Sequence, residues 1–115
     1  MKRWLIFLVI AVGLFGCYDP FNDTIDQIEY AVTGTCGFSN LITIENKSGG
    51  TSQFSDVTLP WSYKWEMYYS SDDFLYVSAQ NGTDSGSITV KIFINGSVAE
   101  ESTSSGAYVI ATAYR

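Results

Sequence analysis

Residues 87–102 read Ser-Ile-Thr-Val-Lys-Ile-Phe-Ile-Asn-Gly-Ser-Val-Ala-Glu-Glu-Ser, and their pattern decides the fold. Ile88, Val90 and Ile92 alternate with Thr89, Lys91 and Phe93, the period of two that a strand imposes on its side chains. Asn95-Gly96 is the dipeptide that a two-residue type I′ turn requires, because both central positions need φ > 0. Val98 to Ser102 returns as the partner strand. With that turn, Lys91 falls opposite Glu100, Phe93 opposite Val98 and Ile92 opposite Ala99. A slip of one residue would bury Lys91 and Glu100 together, which is costly, so the register is strongly specified.

Upstream, Phe74 to Gln80 forms another alternating run, joined to Ser87 by the loop Asn81-Gly82-Thr83-Asp84-Ser85-Gly86. If Asn81 and Gly86 close this loop as a hairpin, Ala79 pairs with Ile88, Val77 with Val90 and Leu75 with Ile92. These pairs are all apolar and define a core face. The alternate residues then share an outer face: Phe74, Tyr76, Lys91, Phe93, Val98 and Glu100. An apolar strip with a charged rim is the expected partner-binding surface of the domain.

The same periodicity runs through the rest of the chain, with turn signals about every ten residues. Ile28, Tyr30 and Val32 mark a first strand and Leu41 to Glu45 a second, followed by the turn Lys47-Ser48-Gly49-Gly50. Thr51 to Leu59 is a third, ending at Pro60, which cannot donate to a ladder. Trp61, Tyr63, Trp65, Met67 and Tyr69 share one face of the next, and their bulk assigns that face to the core. Ala107 to Tyr114 closes the set. The expectation is an all-β, antiparallel β-sandwich of about seven to eight strands over residues 27–115, a single domain with no linker dividing it.

The N-terminus differs in kind. Lys2 and Arg3 precede the uncharged apolar run Trp4 to Leu14. That run suits the signal helix of an export peptide, roughly 7–15 residues, and falls short of the ~20 needed to span a membrane. Leu14-Phe15-Gly16-Cys17 resembles the lipobox of bacterial lipoproteins, although Phe15 stands where a small or β-branched residue is usual. The resemblance implies cleavage after residue 16, acylation of Cys17 and membrane anchoring through its acyl chains, including palmitate. Residues 17–26, with Pro20 and several Asp, read as a flexible tether. Tyr18 after the cysteine lacks the Asp that signals inner-membrane retention in some bacteria, which points to the outer membrane.

Several residue blocks carry a second resemblance: Glu29 to Gly34, Leu59-Pro60-Trp61-Ser62, Val77-Ser78-Ala79-Gln80, Gly86 to Val90, Ile94-Asn95-Gly96 and Gly106 to Thr112. In this order they resemble the MmpS family over about residues 27–114. That resemblance implies an immunoglobulin-like sandwich behind an N-terminal membrane anchor, and a role assisting an envelope transporter. The chain departs from the family in having a lipobox in place of a transmembrane anchor. It also has Val90 and Thr112-Ala113 where the family often has a disulfide.

Composition excludes several functions. Loss of residues 1–16 would remove Lys2 and Arg3 and take the formal charge from −6 to −8, the wrong sign for nucleic acid. There is no histidine, the commonest general base and metal ligand. Asp72-Asp73 and Glu100-Glu101 are adjacent carboxylates, and neighbours on a strand point to opposite faces. Asp72, Asp73 and Asp84 lack the alternating ligands of a calcium loop. Ser62 and Lys64 share a strand face but come with no oxyanion-hole signature. Cys36, the remaining thiol, reads as a small buried apolar residue. Three sites match Asn-x-Ser/Thr, at Asn46, Asn81 and Asn95. The expectation is a non-catalytic protein without a metal or cofactor.

Overall fold

The computed structural model describes residues 24–115, so the signal segment, Cys17 and most of the tether lie outside it. Eight strands follow: β1 (Asp26–Thr33), β2 (Phe38–Glu45), β3 (Thr51–Thr58), β4 (Trp61–Met67), β5 (Tyr76–Asn81), β6 (Ser87–Ile94), β7 (Ser97–Ser105) and β8 (Ile110–Tyr114). They form two antiparallel four-stranded sheets, β4-β1-β6-β7 and β3-β2-β5-β8. Among the described residues there is no helix, and none is long and apolar enough to cross a membrane. β1 begins one residue earlier than the expected domain boundary. Asp26 pairs with Met67, and its carboxylate accepts a hydrogen bond from Asn95 Nδ2 at 2.8 Å.

Connections alternate by end. β1→β2, β3→β4, β5→β6 and β7→β8 all cross between sheets at one end, the far end. The opposite end, where the chain enters β1, holds both hairpin turns, the 68–75 crossover and the end of β8. Only β2–β3 and β6–β7 are hairpins. The expected β5–β6 hairpin is therefore wrong: β5 pairs with β2 and β8, while β6 pairs with β1 and β7. The face assignment survives nonetheless. Leu75, Val77, Ala79, Ile88, Val90 and Ile92 are all at most 1% exposed. They meet across the sandwich rather than along a ladder, and two facing apolar surfaces produce the same apolar matches as two paired strands.

The Asn95-Gly96 turn has φ of 53° and 82°, as the type I′ geometry demands. Phe93 pairs with Val98 as expected, but an irregularity between Ile92 and Phe93 shifts the rest by one. Lys91 faces Glu101 instead of Glu100, and Ile92 faces Glu100. Ala99 is the extra residue, so the bulge turns Glu100 toward the sandwich edge.

The core consists of Ile28, Tyr30 and Val32 on β1, Ile42 and Ile44 on β2, Leu75, Val77 and Ala79 beside β5, Ile88, Val90 and Ile92 on β6, and Ala111 and Ala113 on β8. The sheets approach closely where β5 and β8 face β6 and β7. Small side chains permit this: Ala111 and Ala113 on β8, and Ser102 and Ser104 on β7, where Ser104 Oγ donates to Ile110 O at 2.9 Å. The opposite flank is filled by rings. Phe54 packs on Trp61 with ring centroids 5.1 Å apart, and Trp65 sets its edge against Tyr30 at 5.1 Å and Tyr63 at 5.4 Å. Such aromatic pairs contribute about 0.5–1.5 kcal/mol each beyond area burial. Trp61, Tyr63, Trp65, Met67 and Tyr69 all pack against the core, half-buried because β4 is an edge strand.

Three polar groups are built into this interior. The Tyr30 hydroxyl donates to Glu45 O at 2.7 Å and accepts from Tyr76 N at 3.2 Å. It joins the two sheets at the point where the β2–β5 ladder would add its next rung. Ser39 Oγ donates to Gln80 O at 2.8 Å and fills the irregularity that leaves Asn40 unpaired with β5. Asn81, fully buried, donates from Nδ2 to Ser85 O and Gly106 O, both at 2.9 Å. Its Oδ1 accepts from Thr83 N and Thr83 Oγ1, at 2.7 and 2.8 Å. One amide thus ties together the β5→β6 and β7→β8 crossings. Gly34 sits beside the first crossing, where a Cβ would overlap the Ser87 carbonyl oxygen.

Burial pushes the Tyr30 phenol up from 10.0 to about 12. The unfolded chain releases that proton first, so the Tyr30 contribution is intact below pH 10 and is lost as pH rises from 10 to 12. Tyr30→Phe should cost about 1–3 kcal/mol at neutral pH, because a buried carbonyl and amide lose their partner. It should also lessen the alkaline loss of stability, as followed by denaturant midpoints at neutral pH and above pH 10. Asn81→Ala should cost at least a similar amount, about 1–3 kcal/mol, measured by the same midpoint. A midpoint equal to that of the wild type would show that the crossings hold without the amide.

Candidate functional site

The six residues of the expected strip do not share a face. Lys91, Phe93 and Val98 lie on the outer face of β4-β1-β6-β7. Phe74 and Tyr76 lie on the outer face of the other sheet, on the opposite side of the molecule. The reason is the β5→β6 crossing: a hairpin would have put them together, and a sheet change sets them a sandwich apart. Glu100 belongs to neither surface. Its carboxylate meets the Arg115 guanidinium at 3.2 Å and links β7 to the end of β8, fastening the two sheets at their margin. Both side chains are partly exposed, so the pair contributes little to stability.

Around Phe93 the outer face forms a groove of about 290 Å³ lined by Gln27, Glu29, Lys64, Glu66 and Gly96. Strand pairing builds this charged frame, with Glu29 opposite Phe93 on one side and Lys64 on the other. Phe93 is half-buried there, and Ile92 is turned fully into the core. On the other sheet, Phe74 and Tyr76 stack with centroids 6.0 Å apart, and Tyr114 pairs with Tyr76 across the β5–β8 ladder. Phe74 is 52% and Tyr114 65% exposed, which makes this an aromatic surface in contact with solvent.

Between the sheets, at the end where the chain enters, lies a cavity of about 440 Å³. Trp65, Met67, Phe74 and Leu75 give it an apolar wall, and Glu45, Lys47, Asp72 and Asp73 a charged mouth. The Trp65 indole N–H is buried with no hydrogen-bond partner among the described residues.

The other chemically capable residues are dispersed. Ser62 and Lys64 are exposed on β4, opposite Ala31 and Glu29. Asp73 Oδ2 accepts from Ser70 N at 2.8 Å and shapes the 68–75 loop. No three Cys, Asp or Glu residues come together to hold a metal ion among the described residues. Cys36 is half-buried, and its thiol reaches Phe38 O at 3.5 Å. The three sequon asparagines all spend their amides on the fold. Asn46 accepts from Ser48 N and Gly50 N in the β2–β3 turn, Asn81 is the buried tie, and Asn95 accepts from Gln27 N at 2.9 Å. Their shared placement in Gly- and Ser-rich turns is the sequence signal for this structural use.

These surfaces describe an all-β domain of two packed sheets that offers faces for contact. The chain belongs to the Mycobacterium membrane protein family, whose model matches residues 10–114. No curated protein matches it.

Phe74→Ser and Tyr114→Ser should each leave stability within about 0.5 kcal/mol of wild type, as outward substitutions do. Phe93→Lys should also fold, since it sets a cation opposite Glu29 in a groove that Glu66 also lines, whereas Phe93→Glu adds a third carboxylate to that groove. Thermal unfolding of the three single variants and of Phe93→Glu provides the check. A large loss in Phe74→Ser would mean that its ring supports the cavity wall.

Proposed function

We propose that this protein is a lipid-anchored, non-catalytic accessory module of the cell envelope, with an immunoglobulin-like sandwich as in the MmpS family and an envelope transporter as its partner. The observation that carries the proposal is the extent of the family match, which runs from the apolar N-terminal segment through Cys17 to the last strand. Acyl chains on Cys17 supply the anchor. At ~0.8 kcal/mol per buried methylene, two or more chains hold a protein stably at a membrane.

Tethering is itself the mechanism. Six residues lie between Cys17 and Thr24, and the seven steps from one to the other span at most ~25 Å when extended. A domain held that close to its partner meets it at millimolar effective concentration, so a weak contact suffices. The groove around Phe93, with Lys91 and Val98 beside it, is the partner-binding surface that fits this reading. An aromatic ring framed by both signs of charge provides an apolar anchor and an orientation. The alternative, a structural lipoprotein that presents a sheet face to a larger assembly, is favoured by one observation: Phe74 and Tyr114 stand exposed on the opposite sheet.

Cys17→Ser should abolish lipidation, because only the thiol accepts the diacylglyceryl group. The wild type should partition into the detergent phase and the mutant into the aqueous phase. Equal partitioning at mature length would overturn the lipid anchor.

A further inference from the structure

Seven large apolar side chains stand exposed among the described residues: Ile25, Tyr68, Phe74, Val98, Tyr108, Ile110 and Tyr114. Their placement is uneven. Ile25 immediately precedes β1, Tyr68 follows β4, Phe74 lies two residues before β5, Val98 is the second residue of β7 and Tyr114 is the last of β8. All five of these strand ends lie at the end of the sandwich where the chain enters from residue 24. Only Tyr108 and Ile110 are at the far end. Solvent exposure runs from 46% at Ile25 to 65% at Tyr114, so packing within the domain leaves about half or more of each of these side chains uncovered.

We propose that this end of the domain rests on the bilayer that carries the anchor, with Ile25, Tyr68, Phe74 and Tyr114 as the contacting side chains. The inference rests on the anchored reading above. The chain leaves the domain at this end, and the short stretch to Cys17 keeps it within ~25 Å of the lipid. Tyrosine suits the place, because its ring prefers the apolar boundary and its hydroxyl remains among the headgroups. Charge narrows the lipid class. Asp26, Glu45, Glu66, Asp72, Asp73 and Glu100 border this end, against Lys47 and Arg115, so carboxylates outnumber cations there by six to two. A negatively charged membrane repels such a rim, so the contact is with lipid of no net charge, and apolar insertion drives it.

The test uses the full-length lipidated protein in phosphatidylcholine vesicles, with a photoreactive benzophenone amino acid at position 68 or position 108. After illumination, phospholipid adducts are quantified by mass spectrometry. Position 68 should give several-fold more adduct than position 108. Phe74→Ser combined with Tyr114→Ser should reduce the adduct at 68 while the vesicle-bound fraction stays constant. Added phosphatidylglycerol should reduce it as well. Equal adducts at 68 and 108 on bound protein would overturn the docking and leave the anchor standing. Failure of the wild type to remain on vesicles would overturn the anchor instead. Crosslinks from position 68 to a protein in native envelope membranes, with no lipid adduct in vesicles, would also overturn the lipid contact.

Discussion

The Tyr30 hydroxyl, on a fully buried side chain, is the interior polar link between the two sheets at the end where the chain enters. It sits between Glu45 O and Tyr76 N, so one side chain from β1 supplies what a further rung of the β2–β5 ladder would have supplied. A tyrosine reaching across sets the separation of the sheets there, near the ~10 Å of packed sheets in general. The interior follows from that separation. Where the sheets are held apart, Phe54, Trp61, Tyr63 and Trp65 fill the space. Where they converge, small side chains line β7 and β8: Ala111, Ala113 and the serines of β7.

Sequence alternation revealed which way each side chain points but not which strand lies beside it. Period two follows from the pleat of a single strand, so Leu75, Val77 and Ala79 were legible as inward from their own neighbours. Pairing involves a second strand, and apolar complementarity cannot separate a neighbour from a strand across the core. The two cases differ in their turns. Asn95-Gly96 permits one tight geometry, and the hairpin there formed as read. The segment Asn81 to Gly86 permits more, and its polar residues serve the inside of a crossing, with Asn81 as the tie. The candidate surface inherited this error, because Phe74 and Tyr76 were joined to Lys91 and Phe93 only through that supposed hairpin.

The single-residue shift at Ala99 had a subtler cause. Val98-Ala99-Glu100-Glu101 offers two carboxylates to Lys91, and the uninterrupted register chose Glu100. The bulge delivers Glu101 to Lys91 and leaves Glu100 for Arg115, a residue too distant in sequence to weigh in a hairpin. A bulge of this kind also twists an edge strand, which discourages pairing with another molecule. The other edges are blunted in their own ways. β4 presents Lys64 and Glu66, β8 has only five residues, and β3 holds Asp56 at φ 56°.

The position of β1 has a mechanical consequence. It lies inside its sheet, paired with β4 through Asp26 to Val32 and with β6 through Ile28 to Thr33. Any pull on the N-terminal segment therefore runs along a strand bonded on both sides. The load is shared by two ladders in shear, and many hydrogen bonds must break together. A pull on β8, at the margin, would act on a single ladder. A pull from the N-terminal side thus meets a strand bonded on both sides rather than one at a margin of its sheet.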